Sequence, residues 1–346
     1  MNSFLDKMRS WIPAHAPEWV FKASMAVWEA YKNLTMPEQK KSFGNKNPDK
    51  TFFVIRLYPP AAGFLADYNY VLGYMKYAYD NGWIPVVDMQ NYQTLYNEDH
   101  PIHGTTNVWE YFFEQPLDPA TGKRYTLEEV YQSKNVILSN GSDQRCNFTG
   151  DKDPEVLKWQ HEMAMRAPFN QEQKTYIEKL SATAQIPQGV KLIGAPIRGS
   201  DLGKRFYGHA IQATTDEMLA LLEERLQTWK EPGEEISIFV NSEEQRAIDC
   251  VKAKFPQAYC TDSVRFVKGE SDGVMRVADL YQKLSKYENI QQYLTNIWLL
   301  SRCDSLIGSM NNGYYTAISG TAASSLIWRP STKAVTNKAS IVRGTL

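Results

Sequence analysis

Short apolar runs alternate with helical patterns along the chain, and this alternation constrains the fold more than any other feature. The runs "TFFVI", "IPVVD" and "KNVIL" lie in the first half, and "KLIGAPI", "ISIFV" and "DSLIG" lie in the second. Apolar residues at helical spacing follow most of these runs, as in "TTDEMLALLEERLQTWK". Strands that alternate with helices are typical of α/β domains with parallel sheets. The chain has 346 residues, so two such domains are expected.

The boundary between the two predicted domains lies where a helical stretch gives way to Pro and Gly. Residues 153–186 have the pattern of a long helix or a helix pair, and Pro187 and Gly189 follow it. We therefore expect an N-terminal domain over residues 1–186 and a C-terminal domain over 187–346. The first opens with a helical segment rich in tryptophan, and residues 36–50 are predicted to form a polar linker.

Composition and charge exclude several classes of protein. The 38 basic and 39 acidic residues leave a net charge of −1, which gives no support to a nucleic-acid partner. None of the four cysteines forms a CxxC pair, and we expect reduced thiols in a cytoplasmic protein. No stretch resembles a signal peptide or a membrane span. Contact of the leading helix with the cytoplasmic face of a membrane is left open.

Three polar loops follow strands of the second half, where parallel sheets bind their ligands. They begin at Arg198-Gly199-Ser200-Asp201, at Asn241-Ser242-Glu243-Glu244 and at Ser309. Each loop precedes a predicted helix, whose N-terminal backbone N–H groups favour anions. An arginine adds a planar, permanently charged fork that suits phosphate oxygens. Helix capping alone would explain any single loop, but the three together indicate a phosphorylated or nucleotide-bearing ligand.

Other nucleotide and hydrolase motifs are missing from the sequence. It has no GxxxxGK[ST], no GxGxxG after the first strand of either half and no GxSxG. The histidines and cysteines also lack metal-ligand spacing. P-loop enzymes, dehydrogenases and α/β-hydrolases are therefore disfavoured, and no metal site is expected.

The segment "GAPIRGSD" resembles the first motif of GDP-fucose-dependent fucosyltransferases. This group holds the α1,6-, the nodulation and the protein O-fucosyltransferases. The later segments "IFVNSEEQRAIDCVKAKFP" and "LLSRCDSLIGSMNNGYYTAISG" follow in the same order, so the resemblance covers roughly residues 186–325. In the first half, "LYPPAAGFLADYNYVLGYMKYAYDNGWIPVVDM" is similar to the group's glycine-containing loop. The arrangement of "DMQNY", "NVWEYFFEQP" and "YTLEEVYQSKNVILS" resembles bacterial members in polysaccharide clusters.

The resemblance implies a GT-B-like fold, with two Rossmann-like domains whose parallel sheets face a cleft. It also implies inverting, metal-independent transfer of fucose from GDP-fucose to a glycan hydroxyl, with no further cofactor. The donor would contact one group of residues in the second half: Arg198, Gly199, Ser200, Ser242, Glu243, Ser309, Asn311, Asn312 and Gly313. Arg198 would pair with the pyrophosphate as GDP leaves.

Two positions depart from the pattern of the group. Pro196 stands where the group has a histidine two residues before the arginine, and Ser200 stands for its usual threonine. An inverting transfer benefits from a base on the acceptor hydroxyl. His209 is the first candidate, because an imidazole has a suitable pKa, and Asp67 and Asp201 are the alternatives.

The acceptor is expected on the side of the first domain. The candidates there are Tyr58, Gly63, Phe64 and Trp109, although aromatic residues of this kind also fill cores. Two further readings stay open: transfer from a different nucleotide sugar, and a binding protein for nucleotides or glycans without turnover.

Overall fold

A computed structural model describes residues 18–57, 63–141, 154–197, 213–229, 235–267, 283–309, 329–330 and 341–345. The helices in these ranges are α1 (Glu18–Thr35), α2 (Phe64–Asp80), α3 (Val108–Phe112), α4 (Leu127–Val130), α5 (Pro154–Arg166), α6 (Gln171–Thr183), α7 (Thr215–Trp229), α8 (Gln245–Lys254) and α9 (Lys286–Leu300). The strands are β1 (Gln39–Lys41), β2 (Lys46–Ile55), β3 (Ile84–Val87), β4 (Ser133–Leu138), β5 (Lys191–Pro196), β6 (Ile236–Asn241), β7 (Ser305–Ser309), β8 (Arg329–Pro330) and β9 (Ile341–Thr345).

The strands form two sheets, one from each half of the chain. The first has the order β1-β4-β2-β3, and the second has the order β6-β5-β7-β9-β8. In the first sheet β2 pairs in parallel with β3 and β4, and in the second β5 pairs in parallel with β6 and β7. The predicted α/β fold with parallel strands is confirmed.

Antiparallel strands complete both sheets, which the sequence analysis did not predict. β1 pairs antiparallel with β4, and β9 pairs antiparallel with β7 and β8. β1 and the start of β2 lie within residues 36–50, so the predicted linker is wrong there. The cause is that β1 is a polar edge strand, "QKK", whose outward side chains carry no hydrophobic periodicity.

Several predicted elements are present with shifted ends. The sequence after the first buried strand predicts a helix from about Asp67 to Tyr79, and the corresponding helix, α2, begins three residues earlier at Phe64. The stretch 153–186 is a helix pair, α5 and α6. The Thr214 hydroxyl accepts a hydrogen bond from the Glu217 backbone N–H at 3.2 Å, and the Glu217 carboxylate accepts one from the Thr214 N–H at 2.8 Å. This reciprocal capping fixes the start of α7.

The largest hydrophobic core contains residues from both halves of the chain. It combines Phe53 and Trp109 of the first half with Leu192, Leu294 and Leu306 of the second. Helix α9 packs against α6, which belongs to the first half in sequence. The predicted boundary between residues 186 and 187 separates the two sheets in sequence, while α9 joins the two halves in space.

Candidate active site at the strand ends

The carboxyl ends of three neighbouring strands meet at one edge of the second sheet. β5 lies between β6 and β7, and all three run in parallel. The Ile197 backbone N–H donates to the Asn241 carbonyl at 2.8 Å. Arg198 is the next residue after Ile197, and Ser242 is the next after Asn241. The strand ends that precede the first two predicted loops therefore lie side by side, at the edge where parallel sheets bind their ligands.

The turn after β6 is held by short hydrogen bonds. Ser242 is 3% exposed, and its hydroxyl accepts a bond from the Glu244 backbone N–H at 3.1 Å. The backbone groups of Glu243 and Gln245 pair with Phe266 at 2.8 and 2.9 Å. This turn leads directly into α8, whose N-cap residue Glu244 makes no side-chain cap bond. The Ser242 O–H retains a donor that can reach a ligand.

A segment that the sequence analysis did not single out, residues 261–267, lies against this turn. Asn296 of α9 accepts a bond from Thr261 and donates one to Ser263, each at 2.8 Å. The Gln292 side chain pairs with both backbone groups of Val264 at 3.0 Å. The signal for this segment is the pair of amides one helical turn apart on α9, which are buried together with other polar side chains of that helix.

Arg265 lies in this segment, one residue before the Phe266 backbone that pairs with the turn. It donates to the carbonyls of Ser263 and Thr261 at 3.0 and 2.6 Å. Its Nε is buried without a hydrogen-bond partner among the described residues. Burial lowers the pKa of this guanidinium from its ordinary value. Arg265 is therefore a buried cation of the segment that packs on this turn, and the sequence motifs did not reveal it.

Two of the candidate acceptor residues lie in the core. Phe64 is 4% exposed, and Trp109 is fully buried and donates to the Glu114 carbonyl at 3.0 Å. Phe64 packs edge-on against Tyr96 and Phe112. Because both side chains are buried, a role in the hydrophobic core is favoured over contact with an acceptor. Gly63, the exposed N-cap residue of α2, is the candidate here that solvent reaches.

Asp67 lies in the first turn of α2, and its carboxyl group is buried. The residue is 1% exposed, and neither carboxyl oxygen has a hydrogen-bond partner among the described residues. Burial raises the pKa of the Asp67 carboxyl well above its ordinary value. A carboxyl group in such a place holds a proton more strongly than one in water.

The remaining candidates lie outside the described residues, or only their backbone is described. Ser309 ends β7, at the same sheet edge as Ile197. The candidates outside the described ranges are Tyr58, Arg198, Gly199, Ser200, Asp201, His209, Asn311, Asn312 and Gly313.

The described ranges were also searched for metal ligands and membrane spans. No group of three His, Cys, Asp or Glu residues that could hold a metal ion occurs in them. None of their helices combines the length and the apolar character that crossing a membrane requires. The cysteines among them, Cys250, Cys260 and Cys303, are free thiols.

Comparison with known proteins gave matches among solved structures only. No protein-family profile and no curated protein matches the chain. The NodZ α-1,6-fucosyltransferase soaked with GDP-fucose is 15% identical, with a TM-score of 0.44 over 74% of this chain and 87% of that chain. Another structure of NodZ, from Bradyrhizobium, is 16% identical, with a TM-score of 0.44 over 74% and 88% of the two chains.

A further solved structure also matches. POFUT1 in complex with GDP-fucose is 10% identical, with a TM-score of 0.43 over 80% of this chain and 95% of that chain. These matches are fucosyltransferases, the group that the sequence motifs resemble, and each is similar to this chain at a TM-score below 0.5.

Proposed function

We propose that this chain is a glycosyltransferase that moves fucose from GDP-fucose to a hydroxyl group of a glycan acceptor. The observation that supports the proposal most is the shared edge of β5, β6 and β7, where the Ile197–Asn241 hydrogen bond of 2.8 Å joins the ends of β5 and β6. An arginine, a hydroxyl and helix N-termini at one sheet edge suit a pyrophosphate. The ordered fucosyltransferase-like motifs identify the donor class.

The proposed chemistry is inverting and independent of a metal ion. Arg198 stabilises the charge that develops on the leaving GDP, a role that a preorganised cation performs well. Residues 187–346 bind the donor, together with Ser200, Ser242, Glu243 and the Ser309–Gly313 loop. Residues 1–186 bind the acceptor across a cleft, as in a GT-B-like enzyme.

The acceptor hydroxyl needs a base on the side opposite the leaving group. Asp67 is the candidate base whose surroundings the structure describes, and two observations support it. Its carboxyl oxygens make no hydrogen bonds in the described residues, and its raised pKa makes it a better proton acceptor than an ordinary aspartate. His209 and Asp201 remain the alternatives that the sequence motifs suggest.

Calorimetric titration with GDP tests this proposal. We expect GDP to bind and Arg198→Ala to weaken it by about tenfold or more, as for loss of a charge-assisted bond. Arg302→Ala is the matched control, because Arg302 is exposed and lies over the ring of Trp298. Absence of GDP binding, or equal binding by Arg198→Ala, would refute the proposal.

Two alternatives to this proposal differ from it in the nucleotide of the donor or in the absence of turnover. UDP and ADP titrated in parallel separate GDP-sugars from other donors, since only a ligand of the folded state raises its thermal midpoint. Pro196, buried at the end of β5 where the related group has histidine, favours a binding protein without turnover as the second candidate. Slow hydrolysis of GDP-fucose on long incubation would exclude that candidate.

We also propose that the enzyme works in the cytoplasm in the assembly of a surface polysaccharide. Helix α1 supports contact with a membrane surface, because Trp19 is 71% exposed and Leu34 is 82% exposed. Cosedimentation with lipid vesicles tests this part, and a chain that stays in the supernatant would contradict it.

A further inference from the structure

Arg56 is a buried cation at the carboxyl edge of the first sheet, directly after β2. It is 5% exposed, although arginine is almost never fully buried without a partner. Its Nε donates to the Ser139 carbonyl at 2.7 Å, and its Nη2 donates to the Pro37 carbonyl at 2.6 Å. These carbonyls fix the guanidinium plane but do not neutralise its charge.

The third nitrogen of this guanidinium, Nη1, has no hydrogen-bond partner among the described residues. The ion pairs of the described ranges also do not include Arg56. Tyr92 lies under the guanidinium, with the ring centroid 5.1 Å from Cζ. The ring covers one face of the plane, so the Nη1 edge is the direction from which a ligand can approach.

The carboxylate nearest to Arg56 in the sheet is already saturated. Asp88 follows β3 as Arg56 follows β2, and the last residues of these strands are paired. The Asp88 oxygens accept bonds from two backbone N–H groups, from the Asn91 amide and from the Tyr131 hydroxyl, at 2.6 to 3.1 Å. Four bonds use the lone-pair sites of a carboxylate. Asp88 is therefore not the anion that Nη1 lacks.

We propose that the Nη1 edge of Arg56 binds the carboxylate of an acidic sugar in the acceptor. A single free nitrogen suits one oxygen of a monoanion such as a carboxylate. The site lies at an edge of the first sheet, whereas the proposed donor loops follow β5, β6 and β7 of the second sheet. The assignment of this sugar to the acceptor rests on the proposed transferase function. Binding of a carboxylate at Arg56 does not require that function.

The test uses ligand-observed NMR titration of the protein without donor. Sodium glucuronate is the probe, and glucuronamide is its neutral counterpart with the same ring and hydroxyl groups. We expect glucuronate to bind about tenfold or more tightly than glucuronamide, as for one charge-assisted hydrogen bond. Arg56→Gln should remove this preference. The preference should persist in Lys50→Gln, because Lys50 of the same sheet already pairs with Asp118 at 3.1 Å.

Equal binding of glucuronate and glucuronamide by the unmodified protein would overturn the proposal, whatever the variants do. A preference that survives in folded Arg56→Gln would overturn it as well. If that variant does not fold, Tyr92→Leu removes the ring beneath the guanidinium and should weaken glucuronate severalfold, and unchanged binding contradicts the site. Inorganic phosphate that displaces glucuronate at equal concentration would refute the carboxylate assignment. Arg198→Ala should keep the preference while losing GDP, which separates this site from the donor site.

Discussion

The burial of Asp67 links its protonation to the stability of the fold. Burial raises its pKa, so the folded state keeps a proton that the unfolded state gives up above about pH 4. Stability is therefore lost as the pH rises from the unfolded pKa towards the raised folded pKa. A buried carboxyl group without a partner among the described residues is a cost to the fold, and a role in proton transfer is a reason to keep it.

We predict that Asp67→Asn removes this pH dependence. The free energy of unfolding of the variant, relative to the unmodified protein, should rise between pH 4.5 and pH 7.5 by up to about 1.4 kcal/mol per pH unit. The buried amide of the variant also lowers the free energy of unfolding, but by an amount that does not change with pH. The dependence of the free energy of unfolding on pH is therefore the quantity to compare. Urea denaturation at several pH values measures it, and parallel slopes for the two proteins would contradict the raised pKa.

The same substitution tests the proposed chemistry. If Asp67 is the base, Asp67→Asn should lower the transfer rate by about a hundredfold or more while leaving GDP binding unchanged. Rate measurements on the variant next to GDP titrations separate the two effects. Full activity in the variant would leave His209 or Asp201 as the base.

At the scale of the element, β5 packs closely against α9. A Cβ added to Gly194 would lie 2.5 Å from Leu306 Cδ2, 3.0 Å from Leu300 Cδ2 and 3.1 Å from Cys303 Sγ. We predict that Gly194→Ala lowers the free energy of unfolding by about 1–3 kcal/mol through overpacking. Gly63→Ala is the control, because its Cβ would meet only the Tyr96 hydroxyl at 3.9 Å. Equal midpoints for the two variants in urea denaturation would contradict this packing.

The amide pair on α9 gives a second prediction at this scale. Asn296→Ala would leave the Thr261 and Ser263 hydroxyl groups without their amide partner in a buried place. We expect a loss of about 2–3 kcal/mol, because buried polar groups are costly to leave unpaired. Gln245→Ala, which loses a solvent-exposed bond to Asp249, should change stability by less than about 0.5 kcal/mol. Urea denaturation of both variants measures the difference.

The sequence predicted those elements whose pattern is local. Apolar runs predicted the inner strands β2 to β7, and the helical spacing of "TTDEMLALLEERLQTWK" predicted α7. The polar edge strand β1 was missed, because pairing with β4 rather than periodicity makes it a strand. Arg265 and the segment 261–267 were missed for a similar reason. Their place beside Ser242 depends on side chains of α9, which lie some 30 residues further along the chain.

At the scale of the whole molecule, α9 joins the two halves through polar and aromatic contacts. The Glu98 carboxylate accepts a bond from the Tyr287 backbone N–H at 2.8 Å, and the Lys286 ammonium donates to the Asn97 carbonyl at 2.8 Å. The Tyr287 ring stacks on Phe112 with centroids 5.4 Å apart. The start of α9 is thus held by the first half, although its sequence belongs to the second.

We therefore predict that the chain unfolds as one cooperative unit. Far-UV circular dichroism and tryptophan fluorescence should report the same midpoint in urea. A fragment of residues 187–346 would expose Ile290, Leu294 and Ile297, which are 3–5% exposed in the whole chain and belong to the core shared with the first half. It should bind a hydrophobic dye and show no cooperative transition. A fragment that unfolds cooperatively without binding the dye would contradict this prediction. It would show that the boundary at residue 187 separates two independent folding units. The contacts of α9 with α6 and Phe112 would then form only after each half has folded.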